Sequence, residues 1–290
     1  MLRKKTGALF AASLLLVLLI VAVQAGAQVT TYIQNGEKYL ADGSWAMAIN
    51  EFKYALNYEP QNTNAWYGLG RAYEGLSGAK GAFDINAEAL TGGTDAIAFK
   101  PDKDASANLE EAIRAFSNAA SYYPVNLSAI AALGRAQYMA GRTQEAFYTL
   151  ERGTVPYSLN NEALANMLYI SMMAGDAQRF GTYSQIARNS TAAMSDQGVI
   201  HALAAAEVAA GNYKAAETLL TPLMYRYDLG YLPLKAMGDI LFAQGRPMEA
   251  LSFYKYAANA NPKATGALTM TGDILSLTGD PTGASAAYRA

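Results

Sequence analysis

Apolar residues recur at three- and four-residue spacing along most of the chain, which is the signature of helices with one buried face. Glycines interrupt this pattern at a nearly fixed interval: Gly141, Gly175, Gly211, Gly245 and Gly279 follow one another at 34, 36, 34 and 34 residues. Each lies between two helical stretches. The segments Ala140-Gly141-Arg142, Ala174-Gly175-Asp176, Ala210-Gly211-Asn212, Gln244-Gly245-Arg246 and Thr278-Gly279-Asp280 read as tight turns, since glycine accepts the left-handed backbone that ends a helix. A constant period of this length predicts stacked helix pairs, each a first helix A and a second helix B. New pairs are expected to start near Leu127, Asn161, Gln197, Tyr231 and Thr265.

The register inside the period is specific. Tyr32, Gly36, Tyr39, Ala48, Phe52, Ala55 and Pro60 stand at positions 4, 8, 11, 20, 24, 27 and 32 of a repeat that starts at Val29. A second repeat opens at Thr63 with Trp66, Leu69, Gly70 and Tyr73 and closes with Ala112, Phe116, Ala119 and Pro124. This pattern resembles the tetratricopeptide repeat family across residues 29–290. The resemblance implies an all-α fold, a right-handed α-solenoid of about seven helix-turn-helix repeats. Small residues at positions 8, 20 and 27 let neighbouring helix backbones approach, and large ones at 4, 11 and 24 fill the space between. Gly134, Ala146, Gly238, Ala250, Ala257, Gly272 and Ala284 obey; Leu168, Phe180 and Leu223 depart, so repeats four and five read as degenerate.

One repeat is interrupted. Positions 11 and 20 should be nine residues apart, yet Tyr73 and Ala112 are 39 apart, so residues 75–107 read as an insertion in the A–B turn of repeat two. It is expected to project from one edge of the repeat array, with helix B restarting at an Asn108/Glu111 capping pair. Either it is a tolerated surface loop or it contacts a partner. The apolar residues Phe83, Ile85, Leu90, Ile97 and Phe99 favour the second, because a loop facing only water has no use for them.

The start of the chain carries a different pattern. Arg3, Lys4 and Lys5 precede an apolar run from Ala8 to Val23, and Ala25-Gly26-Ala27 supplies small residues. Residues 1–27 therefore read as a signal peptide cleaved after Ala27, the competing reading being an uncleaved membrane anchor, which would be the chain's sole attachment to a membrane. Both place the rest of the chain on the non-cytoplasmic side. A periplasmic or cell-envelope location is expected, with anchoring to the inner membrane as the variant.

Composition narrows the chemistry. Hydrophobic residues at 52% against 16% charged leave ample core, and a net charge of −2 without a basic stripe speaks against nucleic acid. The absence of cysteine removes disulfides, thiolate metal sites and cysteine nucleophiles. His201 is the only histidine, read as a surface or groove residue with no second histidine to share a metal, and no convergent polar constellation suggests catalysis. Adjacent Glu110 and Glu111 read as acids of a helix N-terminal turn. No cofactor or metal is expected, and no enzyme.

The family resemblance implies that positions 2, 5, 6, 9, 12 and 13 of each helix A face a concave groove. These give Tyr67, Arg71, Arg135, Tyr138, Tyr169, His201, Lys235, Asp239 and Phe242 as partner-binding candidates: aromatics for contact area and cations for gripping carboxylates. Ile33, Glu37, Gly68, Ser128 and Ala132 stand where some relatives clamp a C-terminal carboxylate, so that mode of recognition is not expected. The function this predicts is an exported scaffold for protein or peptide partners in the cell envelope. The alternative is a self-assembling component that homo-oligomerises through its C-terminal end.

Overall fold

The computed structural model describes residues 26–93, 95–122, 124–154 and 159–290. Among these residues every regular element is helical. The export segment expected at residues 1–27 lies outside the described residues, apart from Gly26 and Ala27, which are already helical.

Seven helix pairs follow one another. They are α1 (26–41) with α2 (Trp45–Tyr58), α3 (Thr63–Ser77) with α5 (Lys103–Ser121), α6 (Leu127–Met139) with α7 (Thr143–Gly153), and α8 (Asn161–Met173) with α9 (Ala177–Arg188). The last three are α10 (Gln197–Ala209) with α11 (Tyr213–Leu220), α12 (Tyr231–Ala243) with α13 (Pro247–Ala260), and α14 (Thr265–Leu277) with α15 (Pro281–Arg289). An extra helix, α4 (Ala79–Ala89), lies in the insertion. The five turn glycines have φ between 70° and 82°, a conformation that side-chain-bearing residues resist. The A helices from the third pair onward start at the residues the period predicts.

The glycines at position 8 show why the register is strict. A Cβ on Gly70 would lie 2.5 Å from the Phe116 ring, and one on Gly238 would lie 2.6 Å from the Tyr254 ring. In each case the residue at position 24 of helix B fills the place of the missing side chain. Repeat four exchanges the two volumes: Leu168, fully buried, stands at the glycine position and Ser184 at the large one. In repeat five Pro222 stops α11 after eight residues, and a 3-10 turn, Thr221–Tyr225, brings Leu223 into the core.

The chain divides into two compact units. One holds α1, α2, α3 and α5, up to Ala129. The other holds residues 79–100 with α4, and everything from Ile130 onward. In the first unit α3 packs between α2 and α5. In the second, α8 packs on α7 and α9, the helices from α10 to α15 pack each on the next, and the A helix α10 touches both α8 and α12, with the core in two clusters, one around α8 and one around α12.

Three expectations about the insertion change. Helix α5 restarts at Lys103, not Asn108, because Asp102 caps it by accepting the Ala105 N–H at 2.8 Å. Glu110 and Glu111 consequently lie mid-helix, Glu111 pairing with Arg114, and are not first-turn acids. The insertion also does not simply project: Phe83 and Ala87 are buried among the residues of α8 and α10 in the core of the second unit.

Candidate partner-binding face

The candidate side chains sit at positions 5, 9 and 12 of successive A helices, and the two units treat these positions differently. In the first unit Arg71 Nη1 lies 2.8 Å from Glu37 Oε2, with both side chains about 40% exposed (39% and 45%). The guanidinium lies 5.6 Å from the centre of the Tyr67 ring, which in turn lies 5.9 Å from Phe116. This is an open, half-solvated surface.

In the second unit helix α4 lies against the A helices. Its Phe83 ring meets Tyr138 of α6 and Tyr169 of α8 edge-on, with centroids 6.5 and 6.3 Å apart and interplanar angles of 84° and 82°. Leu90, just past the helix end, packs on the same core. Phe83, Ala87 and Leu90 are spaced i, i+4, i+7, so they share the buried side of α4. The T-shaped geometry puts the positive edge of one ring on the negative face of another.

A polar cluster continues this contact. Lys235, fully buried on α12, places Nζ 2.8 Å from Asp239 Oδ2 and 3.7 Å from Glu88 Oε1 of α4, and donates a hydrogen bond to the Gly92 carbonyl. Thr91 Oγ1 donates to Asp239 Oδ2 at 2.8 Å, and Tyr254 donates to Asp239 Oδ1 at 3.0 Å. Tyr231 donates to Glu88 Oε1 at 3.0 Å. Gly93 passes so close that a Cβ there would lie 2.8 Å from Asp239 Oδ1. Burial pushes the Asp239 carboxyl up to about 7, against the opposing pull of Lys235 and of its hydrogen-bond donors. Burial likewise raises the phenols of Tyr231 and Tyr254.

His201 is a correction: it is fully buried, neither at the surface nor in an open groove. Tyr169 donates its hydroxyl proton to the Gly198 carbonyl at 2.9 Å, so the His201 Nδ1 at 2.9 Å from the same oxygen carries a hydrogen and donates it. Burial, and then the charge of Lys235, push the imidazole down to about 3, and it is neutral at physiological pH. Arg135 is also buried, 5% exposed, and pairs with Glu162 at 3.4 Å. Both residues therefore organise their own chain.

The remaining candidates are more accessible. Phe242 and Phe99 are half-buried. Ile85 and the exposed Ile97 line an open cavity of about 880 Å³ with Tyr231, Leu232, Lys80 and Lys263. The segment after α4 is fixed there by Asn86, whose side-chain oxygen accepts the Ile97 N–H at 2.7 Å. Glu88, Thr91 and Tyr231 were not singled out in the sequence, and helical spacing from Phe83 does not signal them, since Glu88 is five residues on and Thr91 lies past the end of α4.

A tetratricopeptide repeat model matches residues 34–97, 102–158 and 235–290, more than half of the chain. Several solved structures share the fold. A tetratricopeptide repeat protein from Parabacteroides merdae is 14% identical with a TM-score of 0.50, covering 91% of this chain and 92% of that one. The type IV pilus biogenesis factor PilW is 17% identical with a TM-score of 0.53, over 83% of this chain and 97% of its own. The Cut9–Hcn1 hetero-tetramer of APC/C includes a chain 16% identical, TM-score 0.51, of which 42% is covered by 85% of this one. No curated protein matches in sequence.

Proposed function

Because the chain belongs to the tetratricopeptide repeat family, we propose that it is a protein-interaction scaffold of the cell envelope whose partner-binding surface is completed by its own insertion. The family's usual work is to hold protein partners. The observation that carries the reading is the inserted helix α4, held on the A helices by an aromatic contact at Phe83 and a polar anchor at Glu88, Thr91 and Lys235. A face that seats one helix in this way is a helix-holding face. The outer side of the insertion, with Ile85 and Ile97 beside Tyr231 and Leu232, offers apolar surface in a concave setting, and this is where a partner chain would dock.

The half-exposed Tyr67 and Arg71 supply a second contact of the same chemistry, an aromatic ring under a guanidinium. The envelope location rests on Arg3, Lys4 and Lys5 ahead of the apolar run to Val23. A native chain whose intact mass lacks Met1 to Ala27 supports export; one that retains them in the cytoplasmic fraction refutes it.

The contact itself is tested by quantitative in-cell crosslinking of wild type beside an Ile85→Ser, Ile97→Ser variant and an Arg71→Glu variant. Loss of a specific crosslinked protein in the isoleucine variant is the expected result. Undiminished crosslinking in both variants rejects the docking surface.

A further inference from the structure

Repeats five, six and seven, with Thr91, Gly92 and Gly93 of the insertion, border a second open cavity, of about 710 Å³, whose wall chemistry points to a definite ligand class. Four aromatic rings line it, those of Tyr213, Phe242, Tyr254 and Tyr288, together with the carboxylates of Asp239 and Asp273; no lysine or arginine is among the lining residues. Both carboxylates are held by tyrosines of this wall: Tyr254 donates to Asp239 at 3.0 Å and Tyr288 donates to Asp273 at 2.6 Å. Asp239 is balanced from behind by Lys235. Asp273 is different, because among the described residues Tyr288 is its hydrogen-bond partner and no cation of the chain pairs with it.

We propose that this cavity takes a cationic side chain, arginine or lysine, presented by the protein partner. Aromatic walls attract a cation through their ring faces, and a carboxylate that lacks a counter-charge gains a charge-assisted hydrogen bond from it. A neutral or apolar occupant would strip water from Asp273 without replacing it. The entrance is accessible, since Tyr288 and Leu277 at the rim are 52% and 75% exposed. Asp273 is also the ninth residue of the seventh helix A, the position held by Arg71, Arg135 and Asp239 in their own repeats. The inference rests on the scaffold reading and adds the chemistry of what the partner presents.

The test is a titration of the full chain with acetyl-Gly-Arg-Gly-amide, its citrulline counterpart and tetramethylammonium chloride at constant ionic strength. Amide chemical shifts around Tyr213 and Asp273 provide the readout. The arginine peptide is expected to bind about tenfold more tightly than the citrulline peptide, and Asp273→Asn is expected to remove most of that difference. Phe242→Ala, checked for an unchanged circular dichroism spectrum, should weaken the arginine peptide while leaving the citrulline peptide where it was. Equal affinity for arginine and citrulline, or an Asp273→Asn variant that still prefers arginine, overturns the proposal. Tetramethylammonium binding as tightly as the arginine peptide overturns the side-chain source and assigns the cavity to a small organic cation. If the titration fails while the Ile85, Ile97 variant still loses its partner, the cavity assignment falls and the scaffold reading stands. If the arginine peptide binds while that variant keeps every partner, the docking surface falls instead.

Discussion

Arg71 and Asp239 occupy the same ninth position of helix A, one in each compact unit, and they live in opposite environments. Arg71 meets Glu37 in a half-solvated pair, where the gain in Coulomb energy is offset by hydration and by the entropy of two long side chains. Asp239 meets Lys235 where the two side chains are 2% and 1% exposed, and Thr91 and Tyr254 supply further donors. What differs is the cover. The inserted α4 and the turn after it lie over Lys235 and Asp239 and turn a surface register position into a buried polar cluster. A repeat position thus fixes which way a side chain points, while an insertion decides whether it meets water or protein.

The largest expected consequence is for Lys235→Met. At pH 8.5, where Asp239 is ionised in the wild type, it leaves this carboxylate buried without its counter-charge and should cost about 3–5 kcal/mol, read by urea unfolding followed by circular dichroism. A loss under 1 kcal/mol would mean that the cluster is wet and the cover incomplete.

The next effect is on the pH dependence, where two buried groups act in opposite directions. Asp239, raised to about 7, contributes stability that is complete below its unfolded pKa near 4 and is lost as pH rises through 7. His201, lowered to about 3, contributes stability that is complete above about 6.5 and is lost as pH falls toward 3. Between about pH 4.5 and 6.5 the two slopes oppose, each up to about 1.4 kcal/mol per pH unit. Asp239→Asn should therefore reveal a chain that weakens on acidification, and His201→Gln one that strengthens. Denaturant midpoints at half-unit pH steps check this; parallel profiles for the two variants would contradict it.

Smaller still is Gly93→Ala. Its φ of +69° disfavours a side chain, and the new Cβ would press on Asp239 Oδ1, so a loss of about 1–3 kcal/mol is expected. Gly81→Ala, within α4 and with nothing inside 4 Å, should be neutral or gain up to about 1 kcal/mol. The smallest effect belongs to Arg71→Met, about 0–1 kcal/mol. Both tryptophans, Trp45 and Trp66, lie in the first unit, so their fluorescence reads this variant directly.

The sequence carried the frame of the fold because period and register are local signals. Gly141 and its counterparts mark turns by backbone need alone, and Gly70 and Gly238 mark close approaches that any Cβ would block. The seat of the insertion was not legible. Phe83, Ile85, Leu90, Ile97 and Phe99 signal that the insertion packs on something, but the Thr91–Asp239 contact spans 148 residues, and no periodicity encodes so distant a pairing. The same limit made Lys235, Asp239 and His201 read as open groove residues, because charge and register say where a side chain points and not what covers it. Asp273 was within reach through its ninth-position register, although only the structure shows the aromatic wall around it.

The most direct test replaces residues 79–100 by a short glycine-serine linker and follows hydrogen exchange, with a synthetic peptide of residues 79–93 added back in trans. The account predicts that α8, α10 and α12 lose protection without the insertion and regain it as the peptide saturates. Protection in those helices that is unchanged by the replacement would contradict the claim that the chain's own insertion completes this face.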